Sequence, residues 1–129
     1  MSSLERAILD ALAANGESVA ANRAYLEFTK ANFIIPIRRE SAPDAPEVLF
    51  LTENNEHFLP VFTSMEYLDA WAIEIAAEIS ILRLSGVDLL KGIGDQVHVC
   101  LDPSTPHGKV FSPAEIARMK GIVLKFFQA

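Results

Sequence analysis

The sequence predicts a mixed α/β fold of the α+β kind, in which helices pack on a small mixed β-sheet of four or five strands. Three observations support this class. Helical periodicity marks both ends of the chain, short β-branched and apolar runs fill its middle, and helix-capping signals recur between them. The 129 residues fit a single domain, spanning 1–129, without internal repeats or low-complexity segments.

The N-terminal region predicts two helices. Ser2 and Glu5 have the spacing of a capping box, and Asn15 with Gly16 suits a helix C-terminus. A second helix is expected over residues 18–31. The apolar faces of the two helices hold Leu4, Ile8, Ala11 and Leu12 in the first, and Ala21, Tyr25 and Phe28 in the second.

Short strands follow the second helix. The apolar run 33–37 predicts a strand, and Pro36 places it at a sheet edge because proline donates no ladder hydrogen bond. A surface loop is expected over residues 39–47. Residues 48–52 and 58–62 then flank a polar connection that contains two asparagines, which predicts a β-hairpin.

The next segment opens as a helix and then becomes ambiguous. Thr63 and Glu66 have capping-box spacing, so Thr63 is the expected N-cap. Residues 73–84 fit a continued helix and an alternating strand equally well. Their β-branched side chains favour a strand over residues 79–84.

A short helix, a strand and a loop come next. Ser85 is placed to cap a helix over residues 87–92, and residues 96–101 alternate as a strand. A loop rich in proline, serine, threonine and glycine is expected over residues 102–110. The two faces of the strand carry Val97, Val99 and Leu101 on one side, and His98 and Cys100 on the other.

The last helix has the strongest local signal in the chain. Ser112 and Glu115 make a capping box, with Pro113 at the first helical position, where its missing N–H costs no hydrogen bond. Gly121 weakens this helix by about 1 kcal/mol. Residues 121–127 therefore remain open between helix and strand.

Composition and charge exclude several classes of protein. The formal charge of −6 argues against a nucleic-acid binder, and a single cysteine excludes an intramolecular disulfide framework. The longest run without a charged side chain covers residues 57–65, far short of the ~18 apolar residues that span a bilayer. Glu5 and Asp10 interrupt the apolar stretch that a signal peptide needs. We expect a cytoplasmic domain without membrane insertion.

Cys100 is the candidate nucleophile. His98, Cys100 and Asp102 share one face if the strand reaches Asp102, and a thiol enzyme needs a base beside its thiol. Alternate residues of a strand lie ~6.6 Å apart, however, and their side chains stand parallel rather than converging. A buried, unreactive cysteine is therefore the favoured interpretation, with a thiol enzyme kept as an alternative.

No pattern predicts a metal ion, a cofactor or a small-molecule ligand. His57 lies near Glu53 and Glu56 without the spacing of a zinc or EF-hand site, so a solvated hairpin tip is expected there. Residues 107–109 read His-Gly-Lys but lack the rest of a Walker motif. We expect no catalytic residue and no enzymatic activity.

Two sets of residues are candidates for a partner surface. Phe126 and Phe127 are adjacent, so one helix or strand face cannot hold both. Core packing is the favoured interpretation for the pair, and a contact with a protein partner or a second copy in a homodimer is the alternative. A solvated helix flank is favoured over a binding face for the acidic residues Glu66, Asp69, Glu74 and Glu78.

Several short motifs occur in a fixed order along the chain. They cover residues 35–37, 58–64, 84–90, 99–103 and 113–116, and Trp71 and Gly108 lie between them. Over residues 33–118 this order resembles the N-terminal domain of the SseB (enhanced serine sensitivity) family. That family often has Asn-Pro where this chain has Asp102-Pro103, and its longer members carry a further C-terminal domain.

The resemblance implies a small bacterial binding or regulatory module without enzymatic activity, and it supplies no catalytic residue. A chaperone or another component associated with type III secretion is the alternative. Such chaperones are also small, acidic α/β proteins that dimerise and bind an effector segment. The hairpin and the Phe-Thr sequence before the middle helix fit the SseB-like domain better.

Overall fold

The computed structural model describes residues 3–15 and 18–126, and within them it confirms the mixed α/β class. The helices are α1 (Ser3–Ala13), α2 (Ser18–Lys30), α3 (Met65–Trp71), α4 (Gly86–Gly92) and α5 (Pro113–Phe126). The strands are β1 (Asn32–Arg38), β2 (Leu51–Glu53), β3 (Glu56–Val61), β4 (Ile79–Ser85), β5 (Val97–Leu101) and β6 (Lys109–Phe111). None of the helices in this part of the chain has the length and apolar character to cross a membrane.

The strands form two sheets that meet at one residue pair. Strands β1 and β4 make an antiparallel pair, and the second sheet has the order β2-β3-β5-β6, with β3 and β5 parallel. Ile34 N–H donates to the Phe62 carbonyl at 2.8 Å, and Phe62 N–H donates to the Ile34 carbonyl at 2.9 Å. The prediction of a loop throughout residues 102–110 is wrong at its end, where β6 forms. The local sequence does not show this strand, because its ladder with β5 joins residues that are apart in the chain.

The predicted hairpin and edge strand are both confirmed. Strands β2 and β3 pair around Asn54 and Asn55, whose φ angles of 52° and 64° suit the tight turns that join antiparallel strands. Strand β1 is one of two strands in its sheet, and Pro36 uses its carbonyl to accept from Leu49 N–H at 3.0 Å.

The core has two parts. The larger part joins α1, α2, α4 and α5 to one face of the four-stranded sheet, and the smaller part lies beneath α3. In α1, three residues of the predicted stripe are buried, but Leu12 is 48% exposed, so that prediction is wrong for Leu12. Leu12 lies about 100° around the helix from Ala11, which turns it toward the flank.

Two predicted helix starts are confirmed. Ser85 Oγ accepts from Asp88 N–H at 3.1 Å at the start of α4. At the start of α5, Ser112 Oγ accepts from Glu115 N–H at 3.3 Å, and Glu115 Oε1 accepts from Ser112 N–H at 3.2 Å. This reciprocal pair is a capping box. Helix α5 then continues through Gly121 to Phe126, so the open segment is helical as far as it is described.

Ser112→Ala should lower the free energy of unfolding by about 1 kcal/mol, because the first turn of α5 loses the acceptor for the Glu115 N–H. Urea unfolding followed by circular dichroism measures this change. Ser80→Ala removes an exposed strand hydroxyl and serves as the matched control. Equal effects of the two substitutions would contradict the role of Ser112 as a cap.

The start and end of α3 correct two expectations. Its N-cap is Ser64, whose Oγ accepts from Tyr67 N–H at 3.3 Å, so the prediction of Thr63 as N-cap is wrong. The helix ends at Trp71, and strand β4 confirms the extended reading of residues 79–84. The four acidic residues therefore do not share one helix flank, because Glu74 and Glu78 lie beyond α3.

Candidate functional site

A buried carboxylate joins the ends of the two parallel strands. Asp102 follows β5 and is fully buried, and Thr63 lies just beyond the end of β3. Asp102 Oδ1 accepts from Thr63 N–H at 2.8 Å, and Oδ2 accepts from the Thr63 hydroxyl at 2.6 Å. Nε2 of buried His107 lies 2.8 Å from the same Oδ2. Because a carboxylate only accepts, Nε2 has the role of donor in this contact.

The segment from Asp102 to Gly108, here called the Asp102 loop, is tied by its own backbone. The Asp102 carbonyl accepts from Thr105 N–H at 3.2 Å and from the Thr105 hydroxyl at 2.7 Å. Gly108 N–H donates to the Thr105 carbonyl at 3.0 Å. A Cβ at Gly108 would lie 2.9 Å from the Asp102 carbonyl oxygen, so this position needs glycine. The loop therefore holds one conformation beside β5.

Thr63, Asp102 and His107, here called the Asp102 cluster, have a structural role. The Thr63 hydroxyl and His107 Nε2 both bond to the same buried carboxylate oxygen rather than to each other. The three partners satisfy the acceptors of Asp102 from two chain segments. Such a charge-assisted set is strong because it is buried and fully paired. The cluster thus holds the Asp102 loop against the end of β3.

A cleft of about 570 Å³ opens beside the Asp102 cluster. The Asp102 loop forms one wall, and α1 and α3 contribute the others. Trp71 packs against Phe62 with ring centroids 5.3 Å apart, and Tyr67 lies 5.2 Å from the His107 ring. The side chains that define the cleft are Glu5, Glu66, Tyr67, Trp71, Pro103 and His107.

The electrostatic character of the cleft is negative. The Tyr67 hydroxyl donates to Glu5 Oε1 at 3.3 Å. Burial raises the pKa of Tyr67, and the carboxylates of Glu5, Asp102 and Glu66 raise it further. Lysine and arginine do not line this cleft in the described residues. The cleft therefore combines aromatic walls with a field that attracts cationic groups.

The thiol candidates are not brought together. Strand β5 ends at Leu101, and Asp102 leaves it with a φ of 43° and bonds to Thr63 and His107. The His98 ring stacks on Phe58 at 4.7 Å. The condition under which Asp102 would share a face with His98 and Cys100 is therefore not met. Burial also raises the pKa of the Cys100 thiol above its usual range.

Iodoacetamide at pH 7 should label Cys100 at least about tenfold more slowly in the folded protein than in urea. The thiolate is the reactive form, and burial both raises the thiol pKa and restricts access. Mass spectrometry of timed samples measures the rate, with N-acetylcysteine as the control in both buffers. A folded rate at or above the unfolded rate would instead favour an activated thiol.

The hairpin tip holds His57 as expected from the sequence. Its Nδ1 lies 3.3 Å from the Thr52 hydroxyl, and its ring meets Phe50 edge-on at 6.0 Å. Within residues 3–15 and 18–126, no group of three or more His, Cys, Asp or Glu side chains could hold a metal ion.

The two terminal phenylalanines fall at the limit of the described chain. Phe126 is the last residue of α5, and Phe127 lies outside the described residues. One turn earlier, Val123 is buried and Leu124 is 60% exposed. Leu124 is therefore an apolar side chain that the rest of the described domain does not cover.

Sequence reasoning missed the cleft. It assigned Thr63 to a cap, Asp102 to a strand face, and His107 to a failed phosphate motif. One signal was present: an aspartate directly before a proline, at the end of a predicted strand, supplies a side-chain acceptor where the chain turns. The parallel pairing of β3 with β5 brings Thr63 close to Asp102 and His107, and the sequence does not show this pairing.

Comparison with known proteins gives one family. The model described as SseB protein N-terminal domain matches residues 5–118. This match spans the residues of all three segments that line the cleft, and both sheets. None of the curated proteins compared with the chain matches it.

Proposed function

Since the chain belongs to the SseB protein N-terminal domain family, we propose that it is a non-enzymatic protein-binding or regulatory module. The observation that carries this proposal is the cleft beside the Asp102 loop, and we propose that it binds a segment of a partner protein. The acidic composition and the single free cysteine fit the cytoplasm as its compartment.

A binding role accounts for the polar groups around the cleft better than a catalytic one does. The hydroxyl, imidazole and carboxylate of the Asp102 cluster bond to one another and fix the wall of the cleft. A wall held in one conformation lowers the ordering cost when a ligand binds. Preformed concave sites with a few placed polar groups are typical of ligand recognition.

The lining of the cleft defines the chemistry of the partner. The rings of Tyr67 and Trp71 suit apolar side chains, and Glu5 and Glu66 suit a lysine or arginine. A volume of about 570 Å³ accommodates a few side chains rather than a folded domain. The proposed ligand is therefore a short segment in which a basic residue lies next to an apolar one.

Trp71 allows a direct test, because it is the single tryptophan of the chain and lines the cleft. Eight-residue peptides that contain Leu-Lys or Leu-Arg should change its fluorescence in a saturable way, and the matching Leu-Glu peptides should not. Glu66→Gln should weaken binding about threefold to tenfold. The control is Glu74→Gln, an exposed carboxylate beyond α3 that does not line the cleft.

Two results would contradict this assignment. Unchanged Trp71 emission with every peptide would remove the cleft as the binding site. Equal binding of the Leu-Lys and Leu-Glu peptides would remove the charge argument and leave only apolar recognition.

The end of α5 is a second candidate contact surface, favoured by the exposure of Leu124. Phe126 and Phe127 extend this apolar stretch, and we propose that they contact a protein partner or a second copy. Sedimentation equilibrium of Phe126→Ser and Phe127→Ser tests the second-copy form. Wild-type protein that stays monomeric at high concentration would remove that form.

A further inference from the structure

Strand β4 has one paired edge, and its partner β1 shows which backbone groups that pairing uses. Ile34 exchanges both of its backbone hydrogen bonds with Phe62, and Pro36 uses its carbonyl to accept from Leu49 N–H. Both residues therefore turn their backbone groups away from β4. Antiparallel ladders alternate bonded and non-bonded pairs, so β4 is bonded to β1 through the β1 residues that alternate with Ile34 and Pro36. These bonded pairs are Phe33 with Leu84, Ile35 with Leu82, and Ile37 with Ser80.

The alternation leaves the other edge of β4 unpaired. Arg83 lies opposite Ile34, and Ile81 lies opposite Pro36, so both direct their N–H and C=O groups away from β1. At one end of the strand the Ile79 carbonyl accepts from the Arg39 guanidinium at 3.0 Å. In the part of the chain that is described, the backbone N–H groups of Ile81 and Arg83 have no backbone partner.

The other sheet edges are short or covered, and β4 is neither. Strands β2 and β6 have three residues each, and they carry Glu53 and Lys109. The outer side of β1 is bonded to Phe62 and Leu49. Strand β4 has seven residues, no proline or glycine, and Arg83 as its one charge. Proteins protect long, weakly charged edges, so an unprotected edge indicates a strand that pairs with another chain.

We propose that β4 pairs with β4 of a second copy, antiparallel about a two-fold axis at Leu82. In this register Ile81 of one copy lies opposite Arg83 of the other. Each of these two pairs joins residues whose N–H and C=O groups face outward, so each pair exchanges two hydrogen bonds. The two Leu82 side chains, half-buried in the monomer, meet across the axis as a non-bonded pair.

A second copy fits this edge for reasons of symmetry and charge. An isologous contact consumes both free edges, and since the remaining edges are short or covered, assembly stops at a dimer. Arg83 lies opposite an isoleucine rather than another arginine, so the central pairs oppose no like charges. None of the residues that define the cleft lies on β4, and the dimer leaves the proposed peptide site open.

Sedimentation equilibrium of Arg83→Pro against Arg83→Ala tests the proposal. Proline removes the outward N–H of residue 83 and leaves the bonds to β1 intact, because β1 does not use that group. Wild type should show a monomer–dimer equilibrium. Arg83→Pro should raise the dimer Kd at least about tenfold, and Arg83→Ala should change it less than about threefold.

Amide hydrogen exchange tests the same edge in the unaltered chain. The Arg83 amide should become protected as protein concentration rises, whereas the Leu82 amide, bonded to β1, should be protected at every concentration. Wild type that stays monomeric at millimolar concentration, or an Arg83 amide whose exchange ignores concentration, would overturn the proposal. A dimer that Phe126→Ser dissociates and Arg83→Pro does not would place the interface at the end of α5 instead.

Discussion

Replacing Gly86 with alanine should lower the free energy of unfolding by about 3 kcal/mol or more. A Cβ at this position would lie 2.1 Å from the Phe28 carbonyl oxygen and 3.0 Å from Thr29 Cα. These atoms belong to the backbone of α2, so relief requires the helix itself to move. Gly86 N–H also donates to the Ala31 carbonyl at 2.7 Å, which holds the two segments together. Urea unfolding measures the loss.

Gly121→Ala is the matched control, with the opposite sign. A Cβ at Gly121 meets nothing within 4 Å, and the residue lies inside α5. Alanine there should raise the free energy of unfolding by about 0.5–1 kcal/mol, because glycine is the poorer helix former. A destabilisation by Gly86→Ala no larger than about 1 kcal/mol would contradict the close contact between α4 and α2.

Asp102→Ala should lower the free energy of unfolding by about 3–5 kcal/mol. The substitution leaves the Thr63 N–H, the Thr63 hydroxyl and the His107 ring without their shared buried acceptor. Alanine also tolerates the φ of 43° at this position poorly. Denaturant titration at pH 7, followed by near-ultraviolet circular dichroism of Tyr67 and Trp71, reports both stability and the order of the cleft.

Two further variants separate the hydrogen bonds from the backbone strain. Asp102→Asn keeps an acceptor and tolerates positive φ, so it should cost less than half as much as Asp102→Ala. Thr63→Val removes one hydroxyl donor and should cost about 1–2 kcal/mol. Asp95→Ala, whose side chain is 91% exposed, is the control and should change stability by less than about 1 kcal/mol. Equal effects of Asp102→Ala and Asp95→Ala would contradict the role of Asp102 in holding the Asp102 loop against the end of β3.

The elements that were predicted well are those whose signals lie within a few residues. Ser112 and Glu115 satisfy each other's backbone N–H across three positions, and Ser85 caps α4 over the same distance. The turn at Asn54 and Asn55 needs only the tolerance of asparagine for positive φ. Local hydrogen bonding of this kind is visible in sequence, because both partners lie within one turn of the chain.

The incorrect prediction of Thr63 as N-cap has a long-range cause. Thr63 has the side chain and the spacing of a cap, but Asp102, 39 residues away, accepts both its hydroxyl and its N–H. Ser64 then caps α3 in its place. Strand β6 was missed for a similar reason, since three residues carry little periodicity and their pairing with β5 depends on the tied loop before them.

The cleft is the feature that is hardest to predict from the sequence. Its side chains come from α1, α3 and the Asp102 loop, and they converge through the arrangement of the sheet and its helices. Their residue types were visible, but tyrosine, tryptophan and glutamate at these spacings are equally typical of a helix flank. Only the placement of the Asp102 loop against α3 distinguishes the two interpretations.

The parallel ladder between β3 and β5 also governs how fast the chain reaches its native state. The intervening chain forms α3, β4 and α4, and β4 must return to β1, which precedes β3. The entropy of closing these loops is lost before the hydrogen bonds of the ladder form, so we expect folding to be slower than that of helical bundles. We expect helix α5 to dock after the sheet has formed, because it packs on β5 and β6. Weakening its cap should therefore accelerate unfolding and leave the refolding rate nearly unchanged.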